Sequence, residues 1–243
     1  MNSSIEDNNL SKSFLNDIEE KRPIILETHN TDNDFTDQVD LALSHILKIK
    51  ANQHLKPPIY FILRELIANA NKANLKRVYF KKNDLHINIP EDYAKGMSNF
   101  SKILLDSPAS LEDLLYDYKM LVKVVFQEYA GRTFTLLVMN NSTPTDEENT
   151  RIADKLKFYR SSASDDSTVS EILDHTEGAG LGLFLSFKML EKVGIKNETL
   201  TYKVEKNFTI FKISFNYNDT TPAPYHIIAE QILSEIKNLP KFP

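Results

Sequence analysis

The chain has 243 residues, a formal net charge of −5 at pH 7 and no cysteine. That length holds one large domain, or one domain with appendages. A disulfide framework and a thiolate metal centre are excluded, and the acidic balance argues against nucleic-acid binding as the main business. Lys76, Arg77, Lys81 and Lys82 form a local basic cluster that reads as a solvated strand end. No apolar run approaches the ~18 residues of a membrane span, and Met1–Lys12 is unlike a signal peptide. A cytoplasmic protein without a membrane segment is expected, and not a complete transmembrane sensor.

In chain order, Met1–Lys12 is rich in Asn and Ser with little to bury, so residues 1–33 are expected to be a flexible extension. Within it, Phe14–Glu20 reads as a short helix and Pro23–Thr28 as a strand or extended arm. From Phe35, the spacing of Val39, Ala42, Leu43, Ile46 and Ile49 predicts a helix. A break at Gln53–Pro58 precedes a second, longer helix over Phe61–Leu75, and Arg77–Lys81 reads as a short strand. Between residues 84 and 120 lie an alternating run, Leu85–Ile89, and two helical patterns, Glu91–Leu105 and Ser110–Met120. They form either an inserted docking element or two helices covering a sheet edge.

Leu121–Tyr129 and Thr133–Met139, joined by Ala130-Gly131-Arg132, carry the strongest hairpin signal in the chain. Thr145 and Glu148 have capping-box spacing ahead of a helix through Ile152, Leu156 and Tyr159. Ser161–Ser170 has almost nothing to bury and reads as a mobile loop running to Glu177. Leu183, Phe187 and Leu190 mark a helix closed by Gly194, followed by strands over Thr199–Glu205 and Phe208–Tyr217. Residues 219–243 read as a linker and a final amphipathic helix through Ile228, Ile232 and Ile236.

Two stretches carry chemistry. On the long helix, Glu65, Asn69 and Lys72 fall within about 60° of one another and border the apolar stripe of Ile59, Ile62, Leu63, Leu66, Ala70 and Ala73. A carboxylate, a carboxamide and an ammonium side by side suit a metal-bound polyphosphate. The second stretch, Gly178-Ala-Gly180-Leu181-Gly182-Leu183, opens a helix with bare backbone amides, which attract phosphate. His54 precedes the long helix and reads as a helix-entry residue rather than a phosphoacceptor.

Glu65–Ala73, ELIANANKA, resembles the N box of the GHKL ATPases, and Gly178–Leu183 resembles their second glycine box in its histidine-kinase form. The resemblance covers about Asp34–Asn218 and implies the Bergerat ATP-binding fold. That is a two-layer α/β (α+β) sandwich whose mixed, mainly antiparallel sheet has helices on one face. It implies an ATP-binding domain over residues 34–218, with an insertion over 84–120 and an ATP lid over 145–177. Glu65 would be the catalytic acid–base group, Asn69 the Mg²⁺ ligand and Lys72 a phosphate contact. Gly178, Gly180 and Gly182 would bring amides to the phosphates, with Leu181 and Leu183 holding the turn. Thr209 would border the adenine, and Tyr159 and Arg160 would end the helix before the lid. At the first glycine box the family has D-x-G-x-G, and here Asn140, Ser142 and Pro144 stand at those positions. Asn140 can accept from the adenine amino group or donate to a ring nitrogen. Restoring Asp at 140 is expected to tighten binding.

The implied function is that of a stand-alone histidine-kinase-like domain in signal transduction, binding ATP and Mg²⁺. It would pass phosphoryl to a partner in trans or hydrolyse ATP slowly. The partners implied are a response regulator, a phosphoacceptor protein or a sigma-factor regulator, and a second copy of the chain is a further candidate. The alternatives are an anti-sigma-type serine kinase, and an interaction module that is nucleotide-gated or nucleotide-free.

Overall fold

Alternating apolar runs build one five-stranded sheet from β1 (Ile24–Thr28), β2 (Val122–Tyr129), β3 (Thr133–Asn140), β4 (Leu200–Glu205) and β5 (Phe208–Asn216). A computed structural model describes Asp17, Glu20 and residues 22–106, 109–129, 133–161, 181–196 and 199–220, with backbone alone at 129, 161 and 181. The strand order is β1-β2-β3-β5-β4. All four pairings are antiparallel, so the sheet is not mixed as expected. The reason lies in the connections: β2–β3 and β4–β5 are hairpins, and β5 returns beside β3. Lys206 and Asn207 turn the second hairpin with φ of 49° and 69°, the positive values that tight two-residue turns require.

The helical layer begins with α1 (Asn33–Ile49), whose first turn is capped by the Asp32 carboxylate accepting from the Phe35 amide at 2.9 Å. A 3₁₀ turn at Gln53–Leu55 leads into α2 (Lys56–Lys82), with prolines in its first turn, where no amide partner is needed. His54 sits in that turn, as expected for a helix-entry residue. Lys56 pairs with Asp40 at 3.0 Å and ties the two helices. Leu43, Leu47, Ile59, Ile62, Leu63 and Leu66 close on Val122, Val124, Phe126, Phe134 and Leu136 of the sheet. The result is a two-layer α+β sandwich.

Two sequence expectations fail along α2. Arg77–Lys81 is not a strand, because the helix runs through it to Lys82. Val78, Tyr79 and Phe80 are buried there in a second apolar cluster with Phe100, Leu111 and Leu115. Those partners come from α3 (Pro90–Asp106) and the region of α4 (Ala109–Glu112). Gly96 permits the packing, since a Cβ there would lie 2.4 Å from the Phe80 ring. Leu85–Ile89 is a turn rather than a strand, entered through Asp84 at φ 51° and held by Asp92 accepting from the His86 amide at 2.8 Å. The helix expected over Ser110–Met120 is confined to Ala109–Glu112 and gives way to turns.

Past the sheet centre, α5 (Asp146–Ser161) and α6 (Leu181–Lys192) complete the layer. Leu156, Tyr159, Phe184, Phe187 and Leu190 join the main core, and Gly194 ends the last turn at φ 77°. The helix expected at Phe14–Glu20 falls largely outside the described residues, as do residues 162–177 of the lid segment and the C-terminal helix. Among the described residues no helix is long and apolar enough to cross a membrane.

Candidate functional site

A cavity of about 390 Å³ opens between α2, α5, the start of α6 and the ends of β3 and β5. Its walls include Glu65, Asn69, Lys72, Asn140, Gly182, Leu183 and Thr209. Residues far apart in sequence thus share one site. Glu65 and Lys72 are half-buried and Asn69 is exposed, as their border position on α2 requires.

The two motifs meet directly. Gly182 lies in the first turn of α6, against the Glu65 side chain. A Cβ built on Gly182 would sit 1.7 Å from Glu65 Oε2, so any larger residue would push the carboxylate out of its place. Gly178 and Gly180 lie outside the described residues, and Leu181 opens α6.

At the far end of the cavity, Asn140 and Thr209 are direct cross-strand partners on β3 and β5. Both are buried, at 3% and 7% exposure. Asn140 Nδ2 donates to Ser142 Oγ at 2.5 Å and to Asn74 Oδ1 at 3.3 Å. Thr209 donates its hydroxyl to the Ser142 carbonyl at 2.7 Å. The turn at Ser142–Pro144 is tied down further by Arg77 donating to the Thr143 carbonyl at 2.7 Å.

The basic cluster near residue 76 is not a solvated strand end. Lys76 is 4% exposed and pairs with Glu148 Oε1 at 2.6 Å, while Arg77 reaches Oε2 at 2.5 Å. Glu148 also closes a reciprocal capping box: the Thr145 amide donates to Oε2 at 2.9 Å and the Glu148 amide to Thr145 Oγ1 at 3.2 Å. Burial pushes the Glu148 carboxyl up, but the hydrogen bonds and charges of Arg77 and Lys76 outweigh it and hold the group at about 2. One side chain thus locks α2 to α5 and caps α5.

Sequence reasoning missed the α5 wall. Glu148, Arg151, Ile152 and Lys155 follow the i, i+3, i+4, i+7 spacing of one helix face, and all four line the cavity. Lys76 was missed because the helix was ended too early; it lies roughly 20° from Glu65 on the same stripe. Tyr159 and Arg160 do not reach the site. Tyr159 is buried against Phe184 and Phe187, which pushes its hydroxyl up to about 12, and Arg160 donates to the Leu200 carbonyl at 2.8 Å.

Five cationic side chains line the cavity against two carboxylates, within a chain of net charge −5. Such a concave cationic site concentrates polyanions. Among the described residues no group of three or more His, Cys, Asp or Glu is placed to hold a metal ion.

The fold and site therefore define an α+β sandwich with a cationic cleft beside α2. No family model matches the chain, and no solved structure matches it. An uncharacterized protein of Treponema pallidum (strain Nichols) is 30% identical over 226 residues. That match covers 93% of this chain and 44% of the relative, so the chain spans less than half the length of the protein it resembles.

Proposed function

We propose that the cleft binds a nucleoside triphosphate with Mg²⁺ and that the chain is a histidine-kinase-like ATP-binding domain of the GHKL type. The observation that carries this reading is the contact between Glu65 and Gly182, on a cavity that also gathers Asn69, Lys72, Asn140 and Thr209. Two motifs about a hundred residues apart share a cavity only if the chain folds around it. The donor set fits the ligand: cations for phosphate, a carboxamide oxygen for the metal, and buried neutral acceptors for a base.

Asn69 would ligand the metal, and Lys72 with Arg151 and Lys155 would neutralise phosphate charge. When bound, Mg-ATP supplies an electrophilic terminal phosphate. Glu65 would accept the proton of an attacking hydroxyl, which belongs to water in slow hydrolysis and to a partner side chain in transfer. A serine-bearing sigma-factor regulator or another phosphoacceptor protein would supply that hydroxyl, whereas a response regulator would offer a carboxylate, which attacks without needing the base. A second reading, binding without catalysis, is favoured by the tied turn at Ser142–Pro144, where the family has flexible glycines.

Calorimetric titration with Mg-ATP, followed by a phosphate-release assay, tests both. Binding with release supports the enzyme, and binding without release supports the second reading. No heat and no thermal stabilisation at millimolar Mg-ATP, in folded protein, removes the proposal.

A further inference from the structure

Behind the cavity wall lies a residue that decides what Asn140 can offer a ligand. A carboxamide nitrogen has two hydrogens, and both of those on Asn140 are committed, to Asn74 Oδ1 and to Ser142 Oγ. Asn74 is wholly buried and stands on α2 behind the lining residues. Its own Nδ2 donates to the Leu121 carbonyl at 3.2 Å, so turning its amide over would set two carbonyl oxygens together. Asn74 is therefore held with its oxygen toward Asn140. Only the Asn140 oxygen remains for a ligand, and a carbonyl oxygen can only accept.

Thr209 agrees with this. Its hydroxyl hydrogen is committed to the Ser142 carbonyl, which leaves lone pairs beside Asn140. Ser142 Oγ accepts from Asn140, and its own hydrogen remains to be donated. Two acceptors next to one donor complement an exocyclic amino group beside an accepting ring nitrogen.

We propose that Asn74 is a positioning residue that fixes Asn140 as a pure acceptor, so that the cleft selects an aminated base over a keto base. The inference rests on the nucleotide reading above and deepens it. A keto base would bring a carbonyl oxygen against that of Asn140 and leave the buried acceptors unpaired.

Titration of the intact chain with Mg-ATP and with Mg-ITP, which has a carbonyl in place of the amino group, tests the proposal. The wild type is expected to bind ATP about 10- to 100-fold tighter. Asn74→Ala frees one hydrogen of Asn140 and lets its amide turn over, so the preference should fall to within about threefold, chiefly through tighter ITP binding. General loosening of the fold would weaken both ligands alike. Asn74→Asp keeps the accepting oxygen and should keep the preference. If Asn74→Ala does not fold, Ser142→Ala removes the other acceptor and should lower the same ratio. Equal wild-type affinities overturn this inference alone and leave the nucleotide reading standing. Folded variants with the wild-type ratio overturn the role of Asn74. Binding of neither nucleotide overturns both proposals together.

Discussion

The two ends of the cleft are built on opposite terms. At the Glu65 end, side chains are half-buried or exposed, and a glycine makes room for the carboxylate. At the Glu148 end, about 16 Å further along α2, Lys76, Glu148, Asn140 and Asn74 are buried and bonded in two pairs, Lys76 with Glu148 and Asn140 with Asn74. Buried polar groups persist only when their partners are in place, so the second end is rigid and its hydrogen-bond directions are preset. The first end keeps groups accessible for chemistry. A fixed end suits recognition, and an accessible end suits a reacting group.

The comparison breaks most visibly at Glu65. On the proposed mechanism, Glu65→Ala should lower phosphate release by about 10²–10⁴-fold with nucleotide affinity near wild type, because only the proposed proton acceptor is lost. Asn69→Ala should instead weaken metal-dependent binding. Equal loss of binding in the two variants would show that they do not divide the work.

At the rigid end, Glu148→Gln leaves the buried Lys76 and the half-buried Arg77 short of their counter-charge and should destabilise the fold by about 3 kcal/mol in urea denaturation. Its carboxyl is held below its ordinary 4.5, at about 2, so its contribution is complete above 4.5 and disappears as pH falls toward 2. The wild type should lose more stability across that window than the Gln variant, by the share that Glu148 contributes. Parallel acid profiles would mean that the triad does not lock the two helices.

Asn140→Asp reverses the expectation drawn from the sequence. A carboxylate has no hydrogen for Asn74 Oδ1, so the variant should lose roughly 1–3 kcal/mol of stability and bind ATP more weakly. Tighter binding with unchanged melting would contradict the acceptor network. The smallest effect is expected at Gly182→Ala. The added Cβ displaces the movable tip of Glu65 while raising helix propensity, so stability should change by less than about 1 kcal/mol as phosphate release falls. A variant with full activity would separate Glu65 from the reaction.

Local pattern by itself determined the hairpin β2–β3, the helices with clear 3.6-residue stripes, the Thr145–Glu148 cap and the Glu65–Asn69–Lys72 row. Each of these depends on neighbours within a few residues, so its physics is written locally. The run Val78-Tyr79-Phe80 has no such local answer: its residues suit a strand as well as a buried helix. It is helical because Phe100, Leu111 and Leu115 fold back to cover it. Leu85–Ile89 alternates like a strand but turns instead, held by the Asp92 side chain. The bonding of Asn140 was equally undecidable, since both choices satisfy an isolated carboxamide. Asn74, 66 residues earlier, settles it by accepting one of its hydrogens. Hydrogen-bond direction and burial depend on what lies across the fold, and those partners meet only in the tertiary structure.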